Sequence, residues 1–225
     1  MIPLRDSVRP RRPPYVNWLL ILINFLVFFQ ELGLTQSQLN RVFFALGVVP
    51  AKVFYLLKTG APLEVLALPF FTDMFLHGGW IHILGNMLFL WVFGDNVEDR
   101  LGHFRYLLFY LLTGIIGSVA HVLANPASTV PIIGASGAIA GVLGAYLVSF
   151  PRAKVLTLVP IFFFVTLVEI PAVIFLVIWF VIQVFNGAAS LGGEANPVAW
   201  WAHIGGFASG ILLVKLMAPR PAFRW

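Results

Sequence analysis

The chain has 225 residues, of which 60% are hydrophobic and 10% charged, with 14 Lys+Arg against 9 Asp+Glu. A soluble domain carries about 25% charged residues, and a chain this apolar would expose far more hydrophobic surface than a soluble monomer tolerates. The mean hydropathy of +0.94 agrees, so composition excludes a soluble globular enzyme, a disordered tail and a fibrous repeat and predicts an integral membrane protein. There are no cysteines, which removes disulfides, thiol nucleophiles and Cys-ligated metals. The net charge of +5 reads as cytoplasmic loop charge rather than a nucleic-acid surface.

Residues 1–14 form a short basic segment, and the apolar run that follows from Tyr15 has no small-residue cleavage site, so it reads as a retained first span. Charge-free runs cover 13–30, 74–94, 106–151, 170–193 and 195–214. A helix needs roughly 20 residues to cross a bilayer core, so the run 106–151 holds two spans, broken at Asn125-Pro126 through Pro131. The predicted helices are about 16–32, 79–95, 104–124, 135–150, 170–190 and 199–217. Segment 33–73 is interrupted by Arg41, Lys52, Lys58, Glu64 and Asp73 and is expected to lie along the membrane surface as short amphipathic helices. Val155–Val168 is apolar but short and holds Pro160, so it reads as an interfacial connection rather than a seventh span.

The expected fold class is therefore an all-α, six-transmembrane helical bundle with both termini cytoplasmic. With the N-terminus inside, Arg5, Arg9, Arg11, Arg12, Arg100, Arg105, Arg152, Lys154, Lys215, Arg220 and Arg224 are cytoplasmic, and Arg41, Lys52 and Lys58 are outside, a split of 11 to 3. That is the bias the positive-inside rule requires. The domain expectation is a membrane domain over 15–217 and a cytoplasmic tail over 218–225.

Polar groups at membrane depth are costly and so mark function. His82 and Asn86 lie four apart, on one face of the second predicted helix; Ser136 opens the fourth and His203 lies near the start of the sixth. These three helices run the same way, so Ser136, His203 and His82 with Asn86 fall at one depth below the outer surface. Gly137, Gly141 and Gly144 on the fourth helix and Gly206 and Gly210 on the sixth would let those helices approach closely, and Gly134 precedes the fourth. A G-x-x-x-G pair alone signals packing; the coincidence of depth is what points to chemistry. A serine hydroxyl needs a base, and His203 suits that role. The Ser136 backbone N–H, His82 and Asn86 would serve a developing oxyanion. With Asp6, Asp95, Glu98, Asp99 and Glu169 on the inner side and Glu31, Glu64, Asp73 and Glu194 in or near outer loops, the expectation is a Ser136–His203 dyad without a carboxylate. No His-Glu-x-x-His occurs, so a zinc protease is not expected. His77 is expected at the cavity mouth, His121 at the interface, Glu98 and Arg100 as a structural pair, and Glu169 at the start of the fifth helix.

With these residues in place the sequence resembles the rhomboid family of intramembrane serine proteases. The resemblance rests on His77, His82 and Asn86, on Gly134-Ala135-Ser136-Gly137, and on Ala202-His203 with Gly206 and Gly210, and covers most of 15–217. It implies metal-free, cofactor-free cleavage of single-pass transmembrane substrates near the outer face of the lipid bilayer, with the fifth helix and first loop governing access. It assigns Ser136 as nucleophile, His203 as base, and His82 and Asn86 to the oxyanion. No nucleic-acid partner is expected from the charge pattern, and the sequence gives no oligomeric state. The short N-terminal segment suggests a bacterial cytoplasmic (inner) membrane.

Two positions depart from the family pattern. Leu68 and Pro69 stand where many members have a Trp-Arg pair, which leaves first-loop anchoring to Phe70, Phe71 and Trp80. Ala140 stands where some have a Tyr beneath the base, so His203 must be oriented by another group. Two other readings stay open: a non-catalytic rhomboid-like protein that binds transmembrane helices, and a small transporter with His82, His121 and His203 as a proton relay.

Overall fold

The computed structural model describes residues 1–161, 164–191 and 198–219. It is mostly helical, with strand β1 (Ile2–Asp6) followed by helices α1 (Tyr15–Glu31), α2 (Gln36–Leu46), α3 (Pro50–Lys58), α4 (Leu63–Ala67) and α5 (Pro69–Thr72). Helices α6 (Trp80–Leu101), α7 (His103–Ala124) and α8 (Ser136–Ser149) come next, then strands β2 (Lys154–Ile161) and β3 (Phe164–Pro171), and finally α9 (Ala172–Ser190) and α10 (Trp200–Met217). Among the described residues, α7, α9 and α10 are long and apolar enough to cross a membrane. The segment Leu63–Phe75 with α6, bent by 84°, makes a fourth candidate, and α1 and α8 are shorter apolar helices.

Helix α8 is the centre. Every residue from Gly137 to Tyr146 is buried, walled by α6, α7 and α10. An apolar helix of only 14 residues can be enclosed this completely because glycine removes the side chains that would hold its neighbours off. A Cβ on Gly206 would meet the Gly137 carbonyl, one on Gly210 the Gly141 carbonyl, and one on Gly144 the Phe207 carbonyl.

Helix α6 runs six residues past its predicted end at 95, through Asn96-Val97-Glu98-Asp99-Arg100-Leu101. Asn96 and Glu98 are buried in this extension with hydrogen-bond partners, while Arg100 is exposed. Glu98 accepts the backbone N–H of Val16 at 3.0 Å and of Asn17 at 2.7 Å, and it contacts the His103 ring. It thus takes up free donors at the start of α1 and does not pair with Arg100 as expected. Gly102, at φ 81°, makes the one-residue turn between α6 and α7, a left-handed conformation that favours glycine.

The all-α expectation fails at the β-strands. Within 155–168 the described residues form antiparallel strands β2 and β3, with Leu156 opposite Glu169 and Thr157 opposite Val168, and β1 adds antiparallel to β2 with Asp6 opposite Val155. The three-stranded order is β1-β2-β3. Val155, Thr157, Val159, Thr166 and Val168 supply the β-branched content that favours strands, and pairing satisfies backbone groups that a single extended connection would leave bare. Glu169 lies in β3, 3.6 Å from exposed Lys154, not at the start of the fifth helix; Pro171 precedes α9, and the Ala172 N–H donates to the Ala153 carbonyl at 2.8 Å. Asp6 ties the sheet to the bundle by accepting from Asn96 at 2.9 Å and from the Tyr146 hydroxyl. Burial raises its carboxyl above the ordinary aspartate value, partly offset by the Tyr146 bond.

Segment 33–73 folds as the expected short helices, α2 to α5. Phe70 packs with Val48, Val53, Val122 and Ile132, and Trp80 sets its ring against Phe28, 5.0 Å between centroids. Phe71 is exposed. Phe70 therefore anchors the first loop, whereas Trp80 joins the start of α6 to α1.

Candidate active site

Helices α6, α8 and α10 begin around one cavity of about 970 Å³, lined among others by His82, Asn86, His121, Ser136 and His203. His82, Asn86, Ser136 and His203 reach it from the first two turns of their helices, and His121 from the last turn of α7. The loop into α8 is fixed from two sides: Val48 and Ile132 exchange backbone hydrogen bonds of 3.1 and 2.8 Å, and the Gly134 N–H donates to the Asp73 carbonyl at 2.8 Å. The Asp73 side chain accepts the Ser118 hydroxyl at 2.6 Å. Gly134 has φ 114°, and a Cβ there would strike the His82 ring. Glycine is required at this position both by the backbone conformation and by the approach of His82.

The Ser136 Oγ is 2.8 Å from His203 Nε2. His203 is buried between the rings of Trp179 and Trp200, each 5.9 Å away. Its other nitrogen, Nδ1, lies 2.8 Å from Gln183 Oε1. Gln183 was not among the residues singled out from sequence, although a buried amide in so apolar a helix was a signal of the kind that marked the others.

His77 is not at the cavity mouth. It is buried, and the Asn86 Nδ2 lies 2.9 Å from its Nε2. The backbone N–H of His77 donates to both oxygens of Glu31, at 3.3 and 3.2 Å. With Asn86 donating to His77, the second amide hydrogen of Asn86 is left for the cavity. His82 accepts from the Gly78 N–H at Nδ1, 3.4 Å, which leaves its Nε2 as the protonated nitrogen. His121, expected at the interface, instead lines the cavity. His103 sits with Glu98, away from it. The structure thus brings together Ser136, His203, His82 and Asn86, with Gly134 against the His82 ring and Gly137, Gly141, Gly206 and Gly210 along the α8–α10 contact.

A hydroxyl on the unprotonated nitrogen of a buried imidazole can lose its proton to that ring as it attacks a carbonyl. Donors on His82 and Asn86, and the backbone N–H groups at the start of α8, face the same space.

The family model described as "Rhomboid domain" matches residues 66–220. The chain is 35% identical over 150 residues to "RHOMBOID-like protein 4" of Arabidopsis thaliana, covering 67% of this chain and 34% of that protein. It is 33% identical over 190 residues to "Presenilin-associated rhomboid-like protein A, mitochondrial" of Danio rerio, covering 77% and 49%. Over 76 residues it is 47% identical to "Rhomboid protease GluP" of Bacillus subtilis (strain 168), covering 34% and 14%. The chain spans about a third to a half of the length of the first two of these relatives. Relatives from a plant, a fish mitochondrion and a bacterium do not carry the bacterial inner membrane expected from sequence; the apolar helices and the domain make an integral membrane protein. Because the matched region takes in His77, His82, Asn86, Ser136, Gln183 and His203, all within 66–220, the cluster around the cavity is part of what the match covers, and the chain belongs to the rhomboid family.

Proposed function

We propose that this protein is an intramembrane serine endopeptidase that cleaves single-pass transmembrane proteins near the outer membrane face. The observation that carries the reading is the 2.8 Å approach of Ser136 Oγ to His203 Nε2 in a cavity at the starts of three helices. In this mechanism His203 takes the Ser136 proton while Oγ attacks the scissile carbonyl. The oxyanion is met by His82, Asn86 and the Ser136 backbone N–H. The imidazolium then protonates the leaving amine, which departs and leaves an acyl-enzyme. Water, deprotonated by His203, attacks the ester carbonyl, and the collapsing intermediate takes its proton back on Ser136 Oγ.

The membrane arrangement that goes with this function is six spans with both termini cytoplasmic. Its support is the split of 11 inner to 3 outer basic residues. The short helices α2–α5 would then lie on the outer side of the bilayer, and the β-sheet at its inner face, below the site.

The test is cleavage of a model single-span substrate by purified protein in detergent. Wild type is expected to cut, and Ser136→Ala to lose cutting while folding normally. Equal turnover by the two would overturn the dyad. A folded wild type that binds such a helix without cutting it would favour the non-catalytic reading.

A further inference from the structure

The side chain behind His203 comes from α9. The Gln183 amide is buried and both of its ends are engaged: Nε2 donates to the Trp179 carbonyl at 2.9 Å, and Oε1 is 2.8 Å from His203 Nδ1. The first bond fixes the second. Only the NH2 end can satisfy a carbonyl, so the oxygen must face the ring, and an amide oxygen only accepts. His203 therefore carries its hydrogen on Nδ1 and keeps its lone pair on Nε2, toward Ser136. Hydroxyl, imidazole, amide and backbone carbonyl form one chain in which every donor points the same way.

The register of α9 supports this placement. Trp179, Gln183 and Gly187 lie four apart and so share one face. Trp179 lies against both His203 and Phe207, Phe180 stacks on Phe207 with 4.4 Å between centroids, and a Cβ on Gly187 would come within 2.9 Å of Ile204. Helix α9 is thus seated on α10 above and below the amide, while Val181, Ile182, Val184 and Phe185 are exposed on its other sides.

Resting on the serine–histidine reading above, we infer that Gln183 is a positioning residue of the active site: it selects the Nδ1–H tautomer of His203 and makes the assembly of the dyad depend on α9 being seated against α10. It takes the place that a carboxylate holds in a triad, without adding charge to a buried site. It also supplies the orienting group that Ala140 does not. Anything that moves α9 away from α10, including a substrate helix wedged between them, would release His203 until α9 returns.

The experiment compares wild type with two variants of similar length, Gln183→Met, which has no acceptor oxygen, and Gln183→Glu, which keeps one in either protonation state. Turnover of a model transmembrane substrate gives kcat and KM, thermal unfolding checks the fold, and 15N spectra of histidine-labelled protein read the tautomer of His203 without any turnover. Loss of the correct tautomer in a charged triad costs about 10⁴-fold; for a neutral acceptor the expected loss in Gln183→Met is about 10- to 100-fold in kcat. KM and unfolding temperature should stay near wild type, and the Nδ1-protonated signal should fall. Gln183→Glu should keep kcat within about tenfold of wild type. A Gln183→Met protein with wild-type kcat and tautomer overturns the inference. If that variant does not fold, the wild-type spectrum decides: protonation of His203 at Nε2 rather than Nδ1 overturns it. If wild type shows no turnover but its Nδ1 preference is lost in Gln183→Met, the protease reading fails and the positioning role stands.

Discussion

The hydrogens of a few side chains carry the account at the residue scale. Asn86 spends one amide hydrogen on His77 at 2.9 Å and has one left for the cavity, so it is held at a fixed angle before any substrate arrives. A preorganised donor of this kind contributes typically 10²–10³ in rate when it acts alone; in the proposed mechanism His82 and the Ser136 N–H would share the task. Asn86→Ala is therefore expected to lower kcat by about 10²-fold or less with little change in KM, as measured on a model substrate. Unchanged activity would remove Asn86 from the oxyanion role. Ser136, His203, His82 and Asn86 were legible because a polar side chain in an apolar helix has few reasons to be there; His121 carries the same signal but was expected at the interface. Gln183 has the same signature, but a neutral amide on a helix 20 residues away carries no local mark that ties it to His203. His77 was misplaced for a different reason: from sequence it stands just outside a helix, and only the fold brings Glu31 and Asn86 to bury it.

Between elements, contact depends on the glycines of α8 and α10. A Cβ on Gly206 or Gly210 would meet backbone carbonyls of α8, which cannot rotate away as a side-chain tip can. Overpacking costs typically 1–3 kcal/mol, so Gly206→Val is expected to lower the thermal unfolding temperature in detergent and, by lifting α10 off α8, to separate His203 from Ser136 and reduce activity. A variant as stable as wild type would show that the helices can yield. This contact was foreseeable from small-residue spacing. The sheet was not. Val155–Val168 is too short to span and too apolar for an ordinary loop, and its pairing partner, β1, lies about 150 residues away among prolines and arginines. Local pattern carries no information on a pairing so distant in sequence, and the eye for transmembrane runs treats β-branched residues as simply apolar.

For the whole molecule, sparse charge does two things. It leaves the helices free to enter a bilayer, and in the proposed topology the few basic residues would set their direction. Because the chain has no native cysteine, the proposed orientation is open to a direct check with single cysteines at exposed Arg11 and Ser37. A membrane-impermeant maleimide applied to intact cells or sealed organelles is expected to label Ser37→Cys and to reach Arg11→Cys only after permeabilisation. The reverse pattern would invert the topology and put the cavity on the inner side.

The central claim is that Ser136 is a nucleophile activated by His203, and a serine-directed fluorophosphonate tests it with no knowledge of the substrate. The purified wild type is expected to acquire one covalent phosphonyl group, mapped to Ser136 by mass spectrometry, while folded Ser136→Ala and His203→Ala acquire none at that position. Wild-type protein that stays unlabelled, or labelling that persists unchanged in His203→Ala, would contradict it.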